Sequence, residues 1–302
     1  MTTTQTTNKV LMVKPVKFGF NHETALNNAF QQEGYDKNAQ ENALEEFNIY
    51  VSMLQTAGVD VIVSTDTPDP ATPDSIFPNN WFSTHADGTL VLYPMFARNR
   101  RLERKEEVLS LIRQNFSIKK IVDLTHYEQQ GHYLEGTGSM ILDRDSKIAY
   151  VCRSPRSSEI VLEDFATQLG YKTVLFTATD KNGTQIYHTN VMMSVGTGYA
   201  IICLESIIND HEREIVINSL KQSGKRIIEL TQEQISEFAG NMLELRSGHG
   251  EKILVMSLQA FNSLTGAQKV DLASFYKIIT PDLNYIELNG GGSARCMLAE
   301  IF

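Results

Sequence analysis

GGGSARCML, residues 290–298, joins a glycine run to an arginine, a cysteine and the start of an apolar strand near the end of the chain. Four earlier stretches share this grammar of a polar or small loop running into a short apolar strand: FPNNWF (77–82), LEGTGSM (134–140), YHTNVMM (187–193) and AGNMLEL (239–245). Taking Asn80, Glu135, His188, Asn241 and Cys296 as equivalent points gives intervals of 55, 53, 53 and 55 residues. Such spacing marks an internal repeat. Each unit is too small to bury its own apolar face, so the five must stack on their neighbours in a ring.

The segments between these points repeat as well, each reading as strand, strand, helix, strand. Helices are predicted over 38–55 (Leu44, Phe47, Val51 and Leu54 on one face), 102–115, 158–169, 210–222, 231–238 and 265–275. Thr231 with Gln234, and Thr265 with Gln268, fit capping boxes. Strands are predicted over 61–64, 89–93, 118–122, 147–152, 173–176, 199–204, 226–229, 252–256 and 285–288. The unit after Cys296 stops at MLAEIF, and a strand over 9–13 with the helix behind it completes that unit and closes the ring. Residues 1–302 thus read as one α/β catalytic domain, with 1–8 as a flexible tail. No linker or composition shift marks a second domain.

Composition agrees with a folded core: of 302 residues, 42% are apolar and 21% charged. A net charge of -9, with basic residues concentrated only in 98–105, argues against a nucleic-acid surface. The N-terminus lacks the pattern of a signal or transit peptide and no apolar run approaches about 20 residues, so a cytoplasmic protein away from membranes is expected. Homo-oligomers are compatible with the sequence, which does not specify one. Cys152 and Cys203 lie in apolar runs and read as small buried residues. The cysteines form neither a disulfide framework nor a zinc spacing, so no metal or cofactor is expected.

In a ring of equivalent units the loops meet at one axis, which brings a nucleophile, an imidazole and a carboxylate together. Cys296 follows three glycines, which let backbone and substrate approach closely, and Arg295 adds positive charge beside it. His188, which alone would read as a satisfied structural histidine, becomes the acid/base candidate through its equivalence to the cysteine. Glu135, set among an apolar and small residues, suits donor N–H groups of a substrate or pairs with an arginine. Arg98, Arg100 and Arg101 precede a helix, either as its solvated start or as a source of one cation for a substrate carboxylate; Arg98 and Arg101 are the candidates taken. Trp81 is a candidate pocket wall, with core packing as the alternative. Asn241 is assigned no chemistry.

Together these loops resemble the guanidine-modifying superfamily of amidinotransferases, arginine deiminases and dimethylarginine dimethylaminohydrolases, most closely its bacterial citrulline-utilisation hydrolase type. The resemblance covers nearly the whole chain and implies a five-bladed β/α propeller, the pentein fold, with pseudo-five-fold symmetry and the active site on its axis. The family's glycine-rich stretch ending in Arg-Cys-Met matches GGGSARCM, which makes Cys296 the nucleophile. Its His-x-Asp motif matches His188-Thr189-Asn190, its Glu-Gly-Gly-Asp loop matches residues 135–138, and its early Asp matches Asn80 before Trp81 and Phe82. The resemblance therefore implies catalytic roles for Cys296, His188 and Glu135.

Three departures all remove negative charge: Asn80, Asn190 and Gly138 stand where arginine-processing relatives carry aspartates. A guanidinium wants carboxylates, whereas a neutral ureido group suits amides that donate as well as accept. With Asn80, Asn190, Trp81, Arg98, Arg101 and Arg295 as substrate-binding candidates, the expected reaction is hydrolysis of citrulline to ornithine, ammonia and carbon dioxide through a covalent cysteine intermediate. Arginine or methylarginine hydrolysis and amidino transfer share the covalent step and are the alternatives. A non-catalytic binding protein is a further one, since fold does not dictate function.

Overall fold

Five three-stranded sheets repeat one connection. The computed structural model describes residues 5–26, 28, 30–32 and 38–302. In chain order the strands are β1 (Lys9–Lys14), β2 (Asp60–Thr65), β3 (Phe82–Thr84), β4 (Thr89–Leu92), β5 (Lys120–Asp123), β6 (Met140–Asp143), β7 (Ile148–Cys152) and β8 (Lys172–Phe176). They continue with β9 (Met193–Val195), β10 (Tyr199–Ile202), β11 (Arg226–Glu229), β12 (Leu243–Arg246), β13 (Lys252–Val255), β14 (Lys277–Ile279) and β15 (Ala299–Ile301). The sheets are β3-β4-β5, β6-β7-β8, β9-β10-β11, β12-β13-β14 and β15-β1-β2.

Within every sheet the first two strands are antiparallel and the last two parallel, as in Met140 opposite Val151 and Cys152 beside Phe176. A parallel pair needs a long crossover, which explains the helix between the second and third strands of each unit. Ala39–Thr56, Glu106–Asn115, Glu159–Leu169 and Asp210–Gln222 fill that role in four sheets, and Leu258–Ser263 with Gly266–Ala273 in the fifth. Both predicted capping boxes form, at Thr231 and Thr265.

Burial falls outward from the axis. The first strands β3, β6, β9 and β15 are wholly buried and β12 nearly so, whereas the third strands are largely exposed or half-buried. Apolar clusters span neighbouring units: Tyr150, Phe176, Met192 and Ile202 belong to one of them. Each such side chain contributes about 1.5–3 kcal/mol when fully buried. The fold is the mixed α/β pentein with its five repeated units, as the loop spacing requires, and β1 pairs with β15 to close the ring.

Two local expectations change. Residues 285–288 are not a strand but lie in the helix Asn284–Gly290. Lys277–Ile279 already occupies the third place of that sheet, and Glu46 accepts the free Tyr285 and Ile286 N–H groups at the helix start. Nor are residues 5–8 a tail: Gln5, Thr6 and Thr7 are buried, and Gln5 Nε2 donates to the Leu142 and Val195 carbonyls. Residues 1–4 of that expected tail lie outside the described residues. Among the described residues no helix is long and apolar enough to cross a membrane.

Candidate active site

Cys296 lies in a single turn, Ala294–Met297, immediately before β15, with the helix Asn284–Gly290 behind it. Gly291 ends that helix in the left-handed conformation (φ 61°), which a residue with a side chain adopts at a cost. The cysteine N–H donates to the Ser293 carbonyl, and the thiol is 6% exposed. Two amides converge on its sulfur: Asn190 Nδ2 at 3.3 Å and Asn241 Nδ2 at 3.2 Å. Asn241 is oriented by the Arg295 N–H, which donates to its Oδ1. Asn190 touches the sulfur through Nδ2 while its buried Oδ1 has no partner among the described residues, and Asn241, assigned no chemistry from sequence, is its counterpart at the sulfur.

His188 Nε2 lies 2.8 Å from Glu135 Oε2, both side chains being buried. Burial outweighs the pull of Glu135 and holds the imidazole down at about 4. Although burial opposes ionisation of Glu135, Arg156, His188 and Arg100 hold its carboxyl well below the usual range. An ionised carboxylate only accepts, so Nε2 carries the proton and Nδ1 is left as the basic nitrogen. The remaining contacts of Glu135 come from the Phe96 N–H and Arg156 Nη1. The carboxylate is thus committed to protein donors, which favours the arginine-paired reading over direct contact with a substrate.

Gly138 makes the approach possible. A Cβ there would stand 2.4 Å from Asn80 Nδ2 and 2.8 Å from His188 Nδ1, so an aspartate in its place has no room. Asn80 Oδ1 accepts from Arg100 Nη1 at 2.8 Å, while its Nδ2 is buried and without a partner among the described residues. Asp74 is in a similar state: Oδ2 accepts from Asn21 and Thr24, and buried Oδ1 has no partner.

Asp74, Asn80, Arg100, Arg156, His188 and Cys296 line one small cavity of about 20 Å³, room for a single water. Thr24 and Asn28 close it from one side, where Arg156 Nη2 donates to the Thr24 carbonyl and Asn28 Nδ2 to that of Gly291. Arg100 is anchored by Glu103 and the Phe77 carbonyl. Burial raises Glu103 to about 7 against the opposing effect of Arg100.

Four substrate-binding candidates fall elsewhere. Arg98 is exposed, and Arg101 donates to the Met95 and Phe96 carbonyls beside Glu128. Of the three neighbouring arginines only Arg100 turns inward, because 99–103 forms a tight turn that presents its positions in different directions. Trp81 is fully buried against Phe82 among Leu11, Val13 and Met95, a core role. Arg295 is committed to Glu300 and the Leu298 carbonyl and does not line the cavity beside Cys296. The sequence reading missed Arg156 and Asp74. Arg156 did leave a signal: it stands 21 residues after Glu135, much as Arg100 stands 20 after Asn80.

All three cysteines are free, and burial pushes the Cys152 thiol up to about 12. No group of three or more metal-ligating side chains occurs among the described residues.

Residues 14–302 match the model of the family described as N,N dimethylarginine dimethylhydrolase, eukaryotic. No curated protein sequence matches. Among solved structures, the cyanobacterial arginine dihydrolase ArgZ is similar over 97% of this chain at 18% identity and a TM-score of 0.76. This chain spans 40% of the length of that ArgZ chain. The N-terminal domain of ArgZ, seen covalently bound to a reaction intermediate, is covered to 97% at 17% identity and a TM-score of 0.77. DDAH from Pseudomonas aeruginosa, a cysteine-to-serine variant complexed with citrulline, is 15% identical with a TM-score of 0.67, covering 98% of this chain and 99% of that one.

Proposed function

The chain belongs to the N,N-dimethylarginine dimethylhydrolase family, within the guanidine-modifying pentein superfamily, and is a hydrolase of non-peptide carbon–nitrogen bonds; from that premise we propose that it hydrolyses citrulline. The products are ornithine, ammonia and carbon dioxide. Asn80 carries this reading. Arginine only donates, so Arg100 fixes Oδ1 of the amide toward itself and leaves Nδ2 as a buried donor in the cavity. A ureido oxygen accepts from such a donor, and a guanidinium does not. Leaving it unsatisfied costs about 1–3 kcal/mol, roughly one to two powers of ten in preference.

In this scheme the Cys296 thiol passes its proton to His188 Nδ1 as its sulfur attacks the ureido carbon, with Asn190 and Asn241 holding the sulfur in place. His188 Nδ1 delivers a proton to the departing ornithine nitrogen, and the carbamoyl group stays on sulfur. A group held near 4 is a strong proton donor once protonated. Water then loses a proton to the same nitrogen, attacks the carbamoyl carbon and expels the thiolate, which takes that proton back from Nδ1. Carbamate leaves and breaks down to ammonia and carbon dioxide. Glu135 positions His188. Arg156 and Asp74 Oδ1 are assigned to the α-carboxylate and α-ammonium of the substrate, which requires Thr24 and Asn28 to move aside, because the cavity is smaller than any amino acid. We further propose that the whole chain works as one catalytic domain in the cytoplasm.

Asp74 also favours a second reading, arginine, since its free oxygen compensates a guanidinium; ArgZ is described as an arginine dihydrolase. Assays of ornithine, citrulline and ammonia from citrulline, arginine and dimethylarginine decide between them. Ornithine from citrulline is expected, and Asn80→Asp should shift the kcat/KM ratio toward arginine by about ten- to a hundredfold. Conversion of arginine that stops at citrulline, with added citrulline left intact, overturns the ureido reading.

A further inference from the structure

Two buried phenols reach the loop that carries the nucleophile. Between the helix Asn284–Gly290 and the turn Ala294–Met297 lie only Gly291, Gly292 and Ser293. Tyr187, just before His188, donates from its hydroxyl to the Gly291 carbonyl at 2.9 Å. Tyr50, on the helix Ala39–Thr56, donates to the Ala294 carbonyl at 3.2 Å. The two carbonyls bracket the loop, so the phenols hold both its ends. Burial raises both phenols well above their ordinary range, which keeps them protonated as donors.

Tyr187 has the wider reach. Its ring lies 4.6 Å from the His188 imidazole, centroid to centroid, and the Arg156 guanidinium stands 4.8 Å from the ring centroid. The Ser154 hydroxyl donates to its backbone carbonyl at 2.7 Å, and the residue lines the catalytic cavity. One side chain therefore meets the acid/base, the arginine assigned to the substrate carboxylate and the loop before the nucleophile. Asn28 Nδ2 shares the Gly291 carbonyl at 3.2 Å, but Asn28 must move aside for a substrate to enter. After that movement the Tyr187 hydroxyl is the donor that remains there among the described residues.

We propose that Tyr187 is a positioning residue for the reaction in two separable ways: its hydroxyl fixes the loop that aims the Cys296 sulfur, and its ring holds Arg156 for the substrate carboxylate. The inference rests on the reading of Cys296 as nucleophile and of Arg156 as the carboxylate site. A loop with two glycines has many backbone conformations open to it, so a fixed carbonyl at each end is what limits the sulfur to one direction. A shift of about 1 Å at a reacting atom costs up to about a hundredfold in rate.

Tyr187→Phe and Tyr187→Leu separate the two roles, assayed with whichever of citrulline, arginine and dimethylarginine the unaltered protein turns over fastest. Single-turnover rates with enzyme in excess, and KM, are both independent of the fraction of a sample that is active. Tyr187→Phe keeps the ring, so its single-turnover rate should fall about tenfold or more with KM unchanged. Tyr50→Phe should show the same signature. Tyr187→Leu should lower the rate as far and also raise KM about three- to tenfold. Tyr187→Met, which fills the site without an aromatic face, takes its place should Tyr187→Leu fail to fold. Tyr276→Phe, which removes a buried hydroxyl bonded to Glu244 rather than to the loop, should change neither quantity. An unchanged rate in Tyr187→Phe overturns the inference, as does an unchanged KM in the variant without the ring or an equal loss of rate in Tyr276→Phe. Turnover that survives in Cys296→Ser is a different failure: it overturns the nucleophile reading, and this inference with it.

Discussion

Around Cys296 the buried charges include Asp74, Glu103, Glu135, Arg100 and Arg156; toward the far ends of β6 and β15 they include Arg144, Arg295 and Glu300, with Asp143 and Lys225 beside them. Both groups lie inside the ring and both pair arginines with carboxylates. In the far group Glu300 faces both arginines at 3.3 and 3.5 Å, Gln5 accepts the Arg144 N–H, and Arg144 lies over the Phe302 ring. Asp143 Oδ2, which has no hydrogen bond among the described residues, faces the Lys225 ammonium at 3.4 Å, and Arg144, Arg295, Glu300 and Gln5 retain no buried atom without a partner. In the near group Asp74 Oδ1 and Asn80 Nδ2 have none. A satisfied cluster supports the fold, whereas one with unfilled valences is prepared for a ligand that fills them.

The contrast breaks most visibly if Glu135 is altered. Glu135→Gln keeps the shape but offers an amide to His188, so the wrong tautomer becomes accessible, and kcat should fall by about 10³–10⁴ in steady-state assays. In the unaltered protein the free base is the neutral imidazole held at about 4, below its ordinary 6.5. Protonation removes that base, so kcat/KM should hold from neutral pH down and fall only as pH drops through about 4. An acid limb near 6.5 would show that His188 is not the titrating base.

Glu300→Gln tests the other side of the comparison. It leaves two buried guanidinium groups under-compensated, so denaturant unfolding should show a loss of about 3–5 kcal/mol. Folded protein should retain its kcat; a drop there as large as that of Glu135→Gln would erase the distinction between the clusters. The smallest effect is expected at Gln5→Ala, about 1–3 kcal/mol through the unsatisfied Leu142 and Val195 carbonyls and the Arg144 N–H. Unchanged stability would mean that the segment before β1 only rests on the far cluster.

Reading the sequence located Glu135, His188 and Cys296 because each begins a unit, and the units recur at nearly constant intervals. Arg156 escaped it because only the loop starts were aligned; extending the same alignment 20 residues onward pairs it with Arg100. Trp81 and Arg295 were misplaced for a common reason. Adjacent residues in a tight turn or strand point in different directions, so proximity in sequence to Asn80 or Cys296 did not carry these side chains into the cavity. The helix at Asn284–Gly290 has a strand-like composition in Tyr-Ile-Glu-Leu, but its neighbouring sheet is already complete and Glu46 caps its start.

Periodicity and residue type alone determined that five units close into a ring and that a cysteine, a histidine and a carboxylate meet on its axis, because both follow from spacing along one chain. Only the tertiary structure decided what those groups touch. Asn190 faces sulfur, Glu135 faces His188 and Arg156, and Asp74 lines the cavity beside Asn80. Hydrogen bonds depend on direction over a few ångströms, and packing between units sets that direction. Even the free donor of Asn80 was decided by Arg100, a residue from the segment beyond its own sheet's second strand.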